Sequence, residues 1–204
     1  MPRHYSMAKR REEIGRTRAR IEEALILLLA RKPYSVITMG DIAAEADVSE
    51  RTVRRHYGSK DDILTACISG PAREMAEETA TRGLPGSAAE AIRYLVDLQF
   101  AFYGRRSAEV WAAYSRMDEV PELGRAVQLN VEARRLLIEG LLAAWPDAWS
   151  RDREETTRLV DAMVSFPVWR GLTDFGRLSG DEAAQVVYEA LCQQLLCTPG
   201  EGSP

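Results

Sequence analysis

Histidine is almost missing from this chain. Two stand among 204 residues, which leaves little material for proton transfer or metal binding. His4 lies near the start and His56 within a basic stretch. The three cysteines, Cys67, Cys192 and Cys197, are an odd set without metal-ligand spacing. They read as buried thiols in a reducing compartment, not as a disulfide framework. No nucleophile elbow, phosphate loop or cofactor fingerprint is present. Adjacent acids such as Glu154-Glu155 read as solvated. These absences predict a protein that is not an enzyme and carries no cofactor and no metal. Long apolar runs are also missing. The longest, Ala24 to Ala30, is far short of the roughly 20 residues a membrane span needs. The start of the chain lacks the apolar core of a secretion signal, so a soluble cytoplasmic protein is expected. No segment alternates with period two, which predicts an all-α fold without a sheet.

Charge is unevenly spread. Residues 1–60 hold 13 Lys/Arg and 8 Asp/Glu, and the remainder holds 14 and 23, within a chain of net charge −4. A basic head on an acidic body suggests that only the head faces phosphates. Capping boxes mark helix starts: Thr38 with Asp41, Ser59 with Asp62, Ser87 with Glu90 and Ser179 with Glu182. Helices are expected over 9–31, 39–46, 50–57, from 60 toward 80, 88–103, 108–117, 121–144, 152–175 and 181–196. The first carries Ile14, Ile21, Leu25 and Leu28 on one stripe and ends at Pro33. Gly70-Pro71 should kink or break the fourth helix, and Pro167 should bend the one that contains it. Gly83 to Gly86 reads as a loop, Trp145-Pro146-Asp147 as a turn, and 198–204 as a disordered tail.

The most informative stretch is Ile37 to Leu64, ITMGDIAAEADVSERTVRRHYGSKDDIL. It reads as a short helix, a tight turn and a second short helix. Arg51, Arg54 and Arg55 share one helix face and Val53 and Tyr57 the other. One side is built to pack and the other to meet phosphates and base edges, as a helix-turn-helix reading head requires. Ile42, Ala43, Val48 and Val53 have the spacing of its core. Asp47 suits a left-handed turn residue, and Ser49 suits an N-cap. Arg51 and Arg55 are the best base readers, because a guanidinium can donate twice to guanine; Arg54 follows. Glu50 could accept from a cytosine amine. Thr38, Thr52, His56 and Lys60 are placed for phosphates, and Lys9, Arg10 and Arg11 could add a backbone or minor-groove contact. The candidate DNA-binding set is therefore Thr38, Ser49, Glu50, Arg51, Thr52, Arg54, Arg55, His56 and Lys60.

This stretch resembles the DNA-binding region of the tetracycline-repressor (TetR) family. The resemblance rests on Thr38, Ile42-Ala43, Ala46, Val48-Ser49, Thr52, His56-Tyr57, Lys60 and Leu64. The sequence departs from the family at three positions: Asp47 replaces a common glycine, Arg54 a common aromatic, and Tyr57 the usual Phe. The resemblance implies a helix-turn-helix domain over 1–60 and a helical effector-binding and dimerisation domain over 61–197. It further implies a homodimer, formed through the last two long helices, on a palindromic double-stranded DNA operator, with release by a small molecule. Ala183, Val187, Ala190, Leu191 and Gln194 share the face suited to the dimer contact, with intrachain core as the alternative. Candidate effector-binding residues are Gln99, Phe100, Tyr103, Trp111, Tyr114, Asn130, Met163, Phe166 and Trp169, with Arg134 a further polar anchor. Activation instead of repression, or sequence-blind DNA binding without an effector, stays open at this point.

Overall fold

The computed structural model describes residues 3–81 and 83–196, with side chains from residue 9 onward except those of residues 71 and 72. Cys197, the tail expected over 198–204 and the His4 side chain lie outside the described residues. The helices are α1 Arg3–Arg31, α2 Met39–Glu45, α3 Glu50–His56, α4 Lys60–Thr81, α5 Ala88–Arg116, α6 Pro121–Leu142, α7 Arg153–Met163, α8 Phe166–Arg170 and α9 Gly180–Leu195. Short 3-10 turns cover Tyr34–Val36 and Pro146–Ala148. No strand forms among the described residues; a lone antiparallel bridge joins Trp149 and Leu196. No described helix is long and apolar enough to cross a membrane.

Local chemistry explains most helix starts. Thr38 Oγ1 accepts from the Asp41 N–H (3.1 Å), and Asp41 Oδ2 accepts from the Thr38 N–H (2.8 Å). Ser59 with Asp62 and Ser179 with Glu182 form the same reciprocal pair. Ser87 accepts from the Glu90 N–H, but Glu90 turns its carboxylate back to the Gly86 N–H, one residue earlier than the box requires. Asp152 caps α7 by accepting from the Glu155 N–H at 2.9 Å.

The prolines depart from expectation. α4 runs through Gly70-Pro71 as one helix, so no break occurs there. The bend expected at Pro167 is instead a new helix start. α7 ends at Met163, Ser165 is extended, and Pro167 sits in the first turn of α8, where its missing N–H has no intrahelical partner to lose. Beyond α8 a π turn covers Gly171–Phe175 and closes with Gly176 N–H on Gly171 O. The two helices expected over 88–103 and 108–117 are one, α5, with a non-helical residue at Arg106 (φ −123°, ψ 24°).

The chain divides into two compact units. The first comprises residues 1–74 and 108–127; the second comprises 75–107 and 128–204. α4, α5 and α6 each contribute to both. The first unit packs Ile21, Leu25 and Leu29 of α1 with Ile42, Val53, Tyr57, Ile63 and Leu64, and closes with Ala112, Val120 and Leu123 from the second segment. Ile14, expected on the packing stripe of α1, is 43% exposed and lies outside that core. In the second unit Ile92, Leu95, Ile138, Val160, Val187, Leu191 and Leu195 are buried. The α9 face expected to meet a partner chain is therefore largely intrachain core: Ala183, Val187 and Leu191 are all buried within one chain, Ala190 is half-buried and only Gln194 is exposed.

Candidate functional site

α3 is held from below and capped at its start. Val53 is fully buried and Tyr57 nearly so, which turns the opposite face outward. Ser49 Oγ accepts from the Thr52 N–H (3.1 Å) and lies 2.8 Å from Thr52 Oγ1. Beneath, the Tyr57 hydroxyl donates to Glu22 and accepts from Arg18 Nε at 3.2 Å, and the Arg18 guanidinium lies 4.6 Å from the ring centre. Burial, then the Glu22 contact, raise the Tyr57 pKa, so the hydroxyl stays protonated. α1 thus helps to fix the rotation of α3 through a buried side chain.

The turn between α2 and α3 is held from the same helix. Asp47 takes φ 51°, a conformation most side chains avoid. Its carbonyl and that of Ala46 accept from one nitrogen of Arg20, at 3.0 and 2.5 Å. The charge sits at the C-terminal end of α2, where unpaired carbonyls favour a cation. Nothing local in the sequence connects Arg18 or Arg20 to partners some tens of positions later, nor Lys32 to Asp41, whose Oδ1 lies 2.9 Å from its Nζ.

On the outer face, Arg51 and Arg55 are exposed and form no hydrogen bond or ion pair among the described residues. Arg54 is exposed but bonded to Glu50 by Nε at 2.8 Å and by a terminal nitrogen at 2.7 Å. The two guanidiniums expected to read bases first are thus separated from the third, and Glu50 already has a partner. Thr38 is exposed at the start of α2. His56 is half-buried, and burial together with the positive Arg55 and Arg18 lowers its pKa.

Lys60 is directed inward. Its Nζ donates to Tyr34 O (2.8 Å) and Ile37 O (3.1 Å) and lies 4.3 Å from the Tyr34 ring centre. Tyr34 in turn donates its hydroxyl to Asp61 and its N–H to Glu119 Oε1. Cys67 is buried, and burial pushes its thiol up to about 12, which leaves almost no thiolate.

The candidate effector residues are divided between units. Trp111 and Tyr114 belong to the first; the others belong to the second. There, Gln99, Phe100, Tyr103, Phe166 and Trp169 are buried, Met163 is half-buried and Asn130 is exposed. Tyr103 packs on Phe166 (ring centres 5.3 Å apart) and Trp169 (5.9 Å), and Phe166 stacks on Trp169 at 5.7 Å. Arg134, buried on α6, donates to the Tyr103 hydroxyl (3.3 Å) and to Asp161 Oδ1 of α7 (2.7 Å). No cluster of metal-ligating side chains occurs among the described residues.

A capped helix with an outward pair of free guanidiniums, set on a buried two-helix packing, defines a helix-turn-helix DNA-binding regulator. Residues 21–67 match the family of bacterial regulatory proteins designated tetR. Solved structures share the fold over most of the chain. A tetR-family regulatory protein from Rhodococcus RHA1 superposes with a TM-score of 0.68 at 21% identity, over 89% of this chain and 98% of that one. A Clostridium perfringens protein designated a fatty acid metabolism regulator gives 0.70 at 17% identity, over 88% and 100%. A Saccharomonospora viridis protein designated a transcriptional regulator, solved in complex with choline, gives 0.63 at 20% identity, over 90% and 100%. No curated protein matches the chain.

Proposed function

We propose that this regulator acts as a dimeric repressor, bound to a palindromic operator and released by a small molecule held in the second unit. The exposed pair Arg51 and Arg55 carries the reading: two uncommitted guanidiniums one turn apart on a capped helix can each take one guanine edge. Thr38, Thr52 and His56 serve phosphates, Ser49 serves the helix, and the Glu50–Arg54 pair lies at the edge of the contact. Lys60 acts from within. A two-fold dimer sets two heads at the spacing of successive major grooves, with the outer face of α9, away from the buried Ala183, Val187 and Leu191, and the segment before it as the dimer elements. The second unit supplies the effector contacts from Gln99, Phe100, Tyr103, Met163, Phe166 and Trp169. A relative that holds choline supports effector binding by this fold. The effector must prefer one of two conformations, since equal affinity for both shifts nothing. The protein works in the cytoplasm and catalyses no reaction.

Selection of bound fragments from genomic DNA tests this. A shared palindrome is expected, and Arg51→Ala should relax preference at one symmetric base position by about 10-fold or more, the worth of one bidentate pair. Equal retention of all fragments at moderate salt, or an Arg51→Ala protein with unchanged preference, overturns it.

A further inference from the structure

The exposed residues of α3 form two rows. Arg51 and Arg55 stand four apart in one, and Glu50 and Arg54 stand four apart in the other, about 100° round the helix. The second row is closed on itself unevenly. Arg54 Nε lies 2.8 Å and a terminal nitrogen 2.7 Å from the same carboxylate oxygen, Glu50 Oε1. Oε2 forms no hydrogen bond among the described residues. A carboxylate oxygen accepts more than one bond, so one oxygen carries the whole pair and the other stays available. Oε2 also has room. It lies 3.5 Å from the place a Cβ would take on Gly40, the second residue of α2, which has no side chain to cover it. The Glu50 side chain is 47% exposed.

Position and charge decide what Oε2 can do. Glu50 is the first residue of α3, and the first turn of a recognition helix is where side chains reach base edges. A bare carboxylate there would face the phosphates that border the groove and be repelled. With Arg54 held on Oε1 the pair is neutral and keeps one acceptor. The base edges then sort themselves. Guanine presents N7 and O6 in the major groove, and thymine O4 and a methyl group, so neither donates to Oε2. Adenine has a donor at N6 but an acceptor at N7 beside it. Cytosine presents the N4 amine alone.

We propose that Glu50 and Arg54 form one reading unit, in which Oε2 accepts from the N4 amine of a cytosine and Arg54 is a positioning residue that holds and neutralises the carboxylate without a contact of its own to DNA. This rests on the reading of α3 as the operator-reading helix and names a base for the row beside Arg51 and Arg55. Discrimination comes partly from rejection, because an acceptor set against Oε2 leaves two lone pairs with no proton between them. A Glu four residues ahead of its basic partner is the favourable order for such a helical pair.

Selection from a random duplex library tests the unit, with the full chain and with Glu50→Ala, Glu50→Gln, Arg54→Met and the double variant Glu50→Ala/Arg54→Met. Thermal unfolding checks that each is folded. The parent should select cytosine at one symmetric position, distinct from the position that Arg51→Ala relaxes. Glu50→Ala should reduce that preference by about 10-fold, and Glu50→Gln should turn it toward adenine, whose N6 and N7 match an amide. Arg54→Met should weaken the same preference, keep the slope of log affinity against log salt, and add nothing in the Glu50→Ala background. An unchanged cytosine preference in Glu50→Ala overturns the proposal, even where all sequences bind more tightly, since that reports only a lost repulsion. So does a slope reduced by about one in Arg54→Met, which puts the guanidinium on a phosphate. An Arg54→Met effect that persists in full without Glu50 overturns it too, because Arg54 then reads a base by itself. If the parent selects a palindrome and Arg51→Ala relaxes one position while Glu50→Ala relaxes none, the repressor reading stands and this proposal falls. If the cytosine preference behaves as described at sites without two-fold symmetry, the proposal stands and the dimeric repressor reading falls. A parent that retains all duplexes equally overturns both.

Discussion

Arg20 on α1 donates from a single nitrogen to the carbonyl oxygen of Ala46 at 2.5 Å, and from the same nitrogen to that of Asp47 at 3.0 Å. A long helix outside the reading motif therefore sets the angle between α2 and α3. Arg20→Met should keep the aliphatic stem and lose both bonds. Loss of charge-assisted hydrogen bonds at a half-exposed site should cost about 1–2 kcal/mol of stability. It should also weaken operator binding several-fold, although the residue contacts no base. Chemical denaturation and an operator titration read the two effects; an unchanged denaturation midpoint counts against the role assigned to Arg20.

Asp47 holds its left-handed backbone without a side-chain anchor of its own, since its carboxylate is fully exposed and meets Arg20 only at 3.4 Å. Asp47→Gly should be neutral or stabilising by up to about 1 kcal/mol, because glycine takes φ > 0 without penalty. Asp47→Ala should destabilise by about 1 kcal/mol, and Asp47→Val by more, since a branched side chain crowds the adjacent carbonyl. The order Gly, Asp, Ala, Val in melting temperature is the expected result.

Asp41 gives the head an acid sensitivity. Hydrogen bonds from the Thr38 side chain, then Lys32 and the Thr38 backbone, lower its pKa from 3.8 to about 2. A carboxyl whose folded pKa is depressed stabilises the fold above its unfolded pKa and loses that contribution as pH falls through the folded one. The contribution of Asp41 should therefore be complete above about pH 5 and fade between about pH 4 and pH 2. Asp41→Asn should flatten the pH dependence of the melting temperature in that window relative to the parent protein. An equal slope in both would show that the Thr38 cap carries no charge-dependent stability.

Lys60 separates a structural role from a DNA-binding one. Its ammonium caps the carbonyls of Tyr34 and Ile37, so Lys60→Met should lower stability by about 1–3 kcal/mol. The slope of log affinity against log salt should keep its value, because no phosphate contact is lost. A slope reduced by about one would place the ammonium on the DNA backbone.

What the residues alone disclose is local. Thr38 and Asp41, Ser179 and Glu182, and Ser49 before α3 signal their helices by short-range chemistry, and the structure keeps each of them. The Asp152–Glu155 spacing was equally readable and marks the start of α7. Lys60 and Arg54 look alike as exposed cations on paper. Their different fates depend on Tyr34, Ile37 and Glu50, and only for Glu50 is the partner within a helical turn. Pro167 follows the same logic: the residue predicts a disturbed helix, but whether it bends one or begins another depends on Ser165 being extended. Aromatic character groups Trp111 and Tyr114 with Tyr103, whereas the chain passes from one unit to the other between residues 107 and 108.

That passage governs how the molecule can be made. Ala112, Val120 and Leu123 complete the apolar interior shared by α1 to α4, yet they are synthesised after the whole intervening excursion of residues 75–107. An N-terminal fragment cut at residue 74 would lack its last wall, and a nascent head would wait on the ribosome until Val127 emerged. Non-local closure of this kind is slow and leaves apolar surface uncovered meanwhile, so the first unit is completed only after part of the second has been made.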